Sequence, residues 1–111
     1  MKELKLVFIL FLVLGQIRFS DYVVKRGSLL EMHVNVVNEE NKDADDVLLR
    51  VDVIGVDNLF LRRFDVDDND NQGFLFDWTV PKSLKKGEYI VRVSASNDDY
   101  RDVEYREIRV V

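Results

Sequence analysis

The densest run of metal-type oxygen donors in this 111-residue sequence is Asp65-Val66-Asp67-Asp68-Asn69-Asp70-Asn71-Gln72-Gly73. Carboxylates and amides interleaved in a loop are the ligands calcium takes, and Asp65, Asp67, Asp68 and Asp70 are the residues that would supply charge. The spacing does not complete the helical calcium loop. Counted from Asp68, Asp70 and Gln72 stand at the third and fifth positions and Gly73 at the sixth, but the twelfth is Thr79 and not a bidentate glutamate. Starts at Asp65 or Asp67 fail at the glycine and again at the last position. The run therefore reads first as a solvated turn that keeps strand edges apart. Calcium is its alternative, with Asp43, Asp45 and Asp46 of a second acidic loop available to a non-helical site.

Other chemistry is thinner. His33 is the sole histidine, and between Met32 and Val34 it reads as an outward strand residue near Asp52 of a neighbouring strand. One exposed histidine is a poor start for a metal site. Ser83, Ser94 and Ser96 have no histidine and carboxylate arranged around them by any local motif, so no hydrolase triad is expected and no catalytic residue is assigned. The absence of cysteine excludes disulfides and thiolate sites. Five isolated glycines form no phosphate cradle. No cofactor is expected apart from the calcium alternative. Sixteen basic against 21 acidic residues, with no basic stripe, argue against a nucleic-acid partner. Trp78 shares parity with core residues and is expected inside rather than stacked on a sugar. Tyr22 and Tyr100 fall in loops and are expected to be exposed.

The elements that must position these residues are strands. Phe74, Phe76, Trp78 and Val80 alternate along one strand; Tyr89, Val91, Val93 and Ala95 alternate along the next. With a period of two, each set can be buried while Asp77, Thr79, Arg92 and Ser94 meet water. Leu30, Met32, Val34 and Val36 point inward from a strand over 29–38, and Val47, Leu49, Val51 and Val53 from one over 47–55. Shorter or weaker patterns predict strands over 16–20, 59–66 and 103–111, the last with a β-bulge between Tyr105 and Ile108. Pro81 suits a strand end. Tyr89, two residues after Gly87, stands where a tyrosine-corner hydroxyl would bond the preceding corner. Seven short strands with turn signals about every ten residues predict an all-β fold: a seven-stranded, immunoglobulin-like antiparallel β-sandwich.

The frame Tyr22-Val23-Val24-Lys25-Arg26-Gly27, Leu30-x-Met32-x-Val34-x-Val36-x-Asn38, Asp43-Ala44-Asp45-Asp46-Val47-x-Leu49-x-Val51 resembles surface Ig-like domains of the CARDB and NEW3 type from archaea and bacteria. Trp78-x-Val80-Pro81 to Gly87-Glu88-Tyr89-x-Val91-x-Val93 is similar to the same domains. The resemblance spans 16–111. It implies a seven-strand sandwich, export, and roles in adhesion or surface-layer display, often in tandem. This sequence departs from that pattern in carrying one copy without an attached catalytic or anchoring domain.

The amino terminus supports the same address. Lys2 and Lys5 precede Leu6-Val7-Phe8-Ile9-Leu10-Phe11-Leu12-Val13-Leu14, an apolar run of signal-peptide length and short of a membrane span. The expected organisation is a signal peptide, or an uncleaved anchor, over 1–15 and the sandwich over 16–111. A buried strand is the competing reading of the run. Together these features predict a non-enzymatic, secreted or cell-surface module that meets a protein partner or itself, with membrane contact only through the amino-terminal segment. The alternative is a calcium- or glycan-binding module using residues 65–72. Leu48, Leu61 and Ile90 lie at outward positions; if their strands share a sheet, they are expected to form one apolar contact patch.

Overall fold

The computed structural model describes residues 12–111. Its strands, in chain order, are β1 (Leu12–Phe19), β2 (Val23–Val24), β3 (Leu29–Asn38), β4 (Ala44–Val53), β5 (Leu59–Val66), β6 (Asn71–Thr79), β7 (Gly87–Ser96) and β8 (Arg101–Val110). They form a three-stranded sheet in the order β1-β3-β6 and a five-stranded sheet in the order β2-β8-β7-β4-β5. Every pairing is antiparallel except β2 with β8. No helix occurs among the described residues.

The alternation in the sequence explains the architecture. Leu30, Met32, Val34 and Val36 turn one face of β3 inward, opposite Trp78, Phe76, Phe74 and Gln72 of β6. Val47, Leu49, Val51 and Val53 of β4 and Val91, Val93 and Ala95 of β7 supply the facing layer. The two apolar faces can leave water only by packing on each other, and each fully buried aliphatic side chain there contributes about 1.5–3 kcal/mol. Phe60 and Phe64, half-buried on edge strand β5, close one side against Phe76 and Phe74 at ring distances of 5.4 and 4.5 Å. The Tyr89 hydroxyl donates to the Lys85 carbonyl at 2.6 Å, which pins the corner before β7 as expected.

Several expectations need correction. There are eight strands, not seven. The chain leaves the three-stranded sheet after Phe19 and joins the other through Val23 and Val24, a pair too short to show alternation. β1 begins at Leu12, so the expected domain start at Gln16 falls inside a strand whose Leu12 and Leu14 are buried. The register shifts between Leu14 and Ile17, and this bulge at Gly15 and Gln16 puts Leu12, Leu14, Ile17 and Phe19 on one face despite their mixed parity. The rest of the expected export segment, residues 1–11, lies outside the described residues.

β4 starts at Ala44 rather than Val47, with a second register shift between Ala44 and Val47 and Asp46 at φ 52°. β8 has no bulge: it pairs with β7 without interruption from Val110↔Gly87 to Arg101↔Ser96. The apparent parity change arises because Asp102, Glu104 and Arg106 occupy the positions opposite Ala95, Val93 and Val91, at the margin of the sandwich. Ser94, expected in water, is only 5% exposed, because its short side chain lies between the longer Arg50 and Val103.

Candidate functional site

Three loops gather at one end of the sandwich, and a single buried polar residue organises two of them. Asn38 is 1% exposed at the last inward position of β3. Its Nδ2 donates to the carbonyls of Lys42, Val66 and Asp67 at 2.9, 3.2 and 3.2 Å. Its Oδ1 accepts from the Glu40 amide at 3.0 Å, and its own amide donates to the Asp70 carbonyl. A buried amide with both ends satisfied fixes its neighbours in place. Asn38 continues the series 30, 32, 34, 36, so its inward direction was legible; its role as a tie between loops was not.

The acidic residues beside it do not converge. Asp65 Oδ1 accepts from the Asp46 amide at 2.9 Å, Asp43 Oδ1 from the Asp68 amide at 3.0 Å, and Asp70 Oδ1 from the Asn71 amide at 2.8 Å. Asp67 takes part through its carbonyl, and Asp46 Oδ1 meets Arg63 Nη1 at 3.1 Å. Asn69 sits at φ 52° and donates to the Asn41 side chain. Among the described residues, no three acidic or histidine side chains stand together in a metal-holding group. Of the expected calcium residues, Asp65 and Asp70 are separate turn acceptors in this geometry, Asp67 contributes its carbonyl and Asp68 its backbone amide. Glu40, Asp43, Asp45, Asp98 and Asp99 line an open acidic hollow with Asn97, at the far end from Lys25, Arg26, Lys82 and Lys86. Tyr100 is half-buried rather than exposed. Burial, followed by the charges of Glu40 and Asp99 and a hydrogen bond to Glu40, raises its hydroxyl pKa above the ordinary value.

The expected apolar patch lies on the outer face of the five-stranded sheet, where β4, β5 and β7 are indeed neighbours. It is not continuous. Leu48 is opposite Arg63 and Ser96, while Leu61 is opposite Arg50, which makes Leu48 and Leu61 diagonal neighbours. Ile90 lies six residues along β7 from Ser96, about 20 Å at strand rise. Arg50 and the Asp52–Arg92 ion pair stand between. That pair is bidentate, Nε–Oδ1 3.1 Å and Nη2–Oδ2 2.9 Å, and it raises the Arg92 pKa. Two smaller apolar areas result. Leu59 and Leu61, 48% and 46% exposed, share the free edge strand β5, and Ile54 stands beside Ile90, its amide bonding the Ile90 carbonyl. Leu59 and Ile54 fall outside the expected trio because cross-strand register is invisible in one strand's pattern.

The remaining candidates are dispersed. His33 is not near Asp52: it lies on the other sheet, opposite Arg18 and Leu75. Ser94 and Ser96 lie on the five-stranded sheet, and Ser83 on the loop after β6. Tyr22 is exposed and stacks on Phe19 at 5.3 Å, and Trp78 is buried opposite Leu30.

No family model matches the chain, and no curated protein does. Solved structures do. A CARDB domain from Pyrococcus furiosus, crystallised in complex with di-metal ions, superposes with a TM-score of 0.71 at 18% identity over 100% of both chains. The sporulation control protein Spo0M of Bacillus subtilis gives 0.65 at 15% identity, covering 92% of this chain and 50% of its own. A β-glucosidase from Erythrobacter marinus gives 0.66 at 12% identity; this chain spans 90% of itself but only 15% of that enzyme. At such identities the likeness speaks for the fold. The chain has the fold of a CARDB-type Ig-like β-sandwich.

Proposed function

We propose that this Ig-like module is non-enzymatic and acts by protein–protein contact, either with a partner at the cell surface or with itself, in adhesion, surface-layer or envelope assembly. The observation that carries this reading is Leu59 and Leu61, half exposed side by side on β5, which among the described residues is an edge strand of the five-stranded sheet. Apolar side chains on an unpaired edge favour a partner that covers them. Charged and polar neighbours, Arg63 and Arg50, supply a rim. The non-enzymatic part rests on dispersal: His33 lies on one sheet, Ser94 and Ser96 on the other.

Export rests on Lys2, Lys5 and the apolar run that follows, of which Leu12–Leu14 also belong to β1. Intact-mass analysis of the native protein by cell fraction tests it, combined with cross-linking in intact cells. A surface or secreted species cross-linked to a protein supports the reading. A full-length species confined to the cytoplasm overturns it.

Calcium or glycan binding at residues 65–72 is the second reading. The Pyrococcus furiosus domain's di-metal complex favours metal, and the use of Asp65, Asp43 and Asp70 as turn acceptors weighs against it. A ligand bound only by the folded state raises the melting temperature. A calcium-dependent rise abolished by Asp68→Asn with Asp70→Asn would move this reading ahead of the first.

A further inference from the structure

Charge in this chain is sorted to the two ends of the sandwich. The loops 39–43, 67–70 and 97–100 lie at one end and carry eight carboxylates and one lysine. The turns 20–22, 25–28, 54–58 and 80–86 lie at the other and carry five cations and two aspartates, although the whole chain has a formal charge of -5. Asp21, one of those two, accepts from the Tyr22 and Val23 amides. Lys25, Arg26, Lys82 and Lys86 line a basic hollow at that end. The backbone holds it in shape: the Gly27 amide donates to the Val80 carbonyl at 2.7 Å, the Val80 amide to the Ser28 carbonyl at 2.9 Å, and the Arg26 amide to the Val111 carbonyl at 3.2 Å. Gly27 has φ 84°, and a Cβ there would lie 3.2 Å from Lys82 Cγ and Cε, so the lysine stem crosses this turn and directs its charge outward.

The two charge sets cannot neutralise each other within one molecule. β7 runs from Gly87 at the basic end to Ser96 at the acidic end, about 30 Å at strand rise, against a screening length of about 8 Å at physiological salt. Nor are they neutralised locally. The three ion pairs among the described residues, Arg63–Asp46, Arg92–Asp52 and Arg109–Glu88, use none of these charges. We propose that the basic end of one copy docks on the acidic end of a second copy, head to tail. Lys25, Arg26, Lys82 and Lys86 of one molecule meet the hollow that carries Asp45, Asp98 and Asp99 on the next. The net charge of -5 repels copies in most orientations, while this one brings opposite charges together, so electrostatics selects it.

The contact joins two different surfaces, so a pair leaves one end of each kind free and the same contact can repeat along a line of copies. Two sandwich tips bury little area and their attraction is screened, so the contact is weak at physiological salt and strengthens as salt falls. It is a case of the self-association proposed above and rests on that reading, but it uses surfaces separate from Leu59 and Leu61.

The test uses two variants of the full chain. Lys25→Gln with Arg26→Gln, Lys82→Gln and Lys86→Gln neutralises the basic hollow and keeps the acidic end; Asp45→Asn with Asp98→Asn and Asp99→Asn does the reverse. All these residues are exposed, so both variants keep the fold, and amide spectra unchanged outside the substituted loops verify it. Each variant is isotopically labelled in turn and titrated with the other, unlabelled, at low salt. Saturable 1:1 amide shifts are expected at residues 39–45 and 97–100 of the first variant and at 25–28 and 80–86 of the second. They should weaken about tenfold between about 50 mM and about 0.5 M salt. Neither variant should shift there when titrated with its own kind. No shifts in the mixture, equal shifts with its own kind, or binding of the parent's basic end to anionic lipid vesicles without shifts in the mixture would each overturn the head-to-tail contact. Shifts confined to residues 59–61 would also overturn it and would leave the β5 contact standing.

Discussion

The Asp102 carboxylate accepts a hydrogen bond from the Leu14 amide at 2.8 Å, joining edge strand β1 of one sheet to β8 of the other. This bond satisfies a backbone donor beside the β1 bulge and seats Leu12 and Leu14 in the core. A chain beginning at Gln16 loses both leucines and the bond. Against a chain beginning at Leu12 it should be less stable by about 3–6 kcal/mol, from two buried aliphatic side chains. Asp102→Ala alone should cost about 1 kcal/mol. Urea unfolding checks both, and equal midpoints for the two chain lengths would show that residues 12–15 contribute nothing to the sandwich.

Asn38→Ala removes the donor shared by Lys42, Val66 and Asp67 and the acceptor for Glu40. Leaving these buried or half-buried groups unpaired should cost about 2–3 kcal/mol. Faster amide exchange should appear at Glu40 and Asn69, whose amides lie in the two tied loops. Unaltered exchange there would mean that the loops hold themselves.

Trp78→Ala truncates a buried ring opposite Leu30 and should lower stability by about 3–5 kcal/mol. Tyr89→Phe keeps the ring and deletes only the bond to Lys85, for about 1 kcal/mol. A smaller effect for Trp78→Ala than for Tyr89→Phe would contradict the inward direction of β6.

Leu59→Lys with Leu61→Lys alters exposed positions and should leave stability within about 0.5 kcal/mol per site. Surface cross-linking, or self-association by light scattering, should be lost. A double variant that still associates like the parent would remove β5 from the contact.

Tyr100 should ionise above the ordinary tyrosine range in an ultraviolet titration, since burial and then Glu40 and Asp99 favour its neutral form. The unfolded chain releases this proton at a lower pH than the folded one. The contribution is therefore present below the ordinary tyrosine pKa and is lost as pH rises through the folded value. Stability should fall more steeply on the alkaline side for the parent than for Tyr100→Phe. Parallel alkaline curves for the two proteins would refute the shift.

Strand interiors were legible in the sequence because the alternation of Leu30–Val36, Val47–Val53, Phe74–Val80 and Tyr89–Ala95 is a local property of each strand. Period two together with burial on one face determines both the element and the direction of its side chains. The tyrosine corner was legible for the same reason, since Lys85 and Tyr89 are four residues apart. Where an extra residue enters, local parity misleads: the bulge at Gly15 and Gln16 hid the first half of β1. Two-residue β2 exists only because β8 offers it an edge.

Register across strands belongs to the tertiary structure alone. It separated Ile90 from Leu48 and Leu61 by inserting Arg50 and the Asp52–Arg92 pair, and it set Ile54 beside Ile90. It moved His33 away from Asp52 to face Arg18. It also spread an acidic run with calcium-type composition over separate turns, in which the Asp46 and Asn71 amides bond one oxygen each of Asp65 and Asp70 and Asn38 bonds the carbonyls of Val66 and Asp67. Composition along a chain can name the ligands available, but distances between strands decide which of them meet.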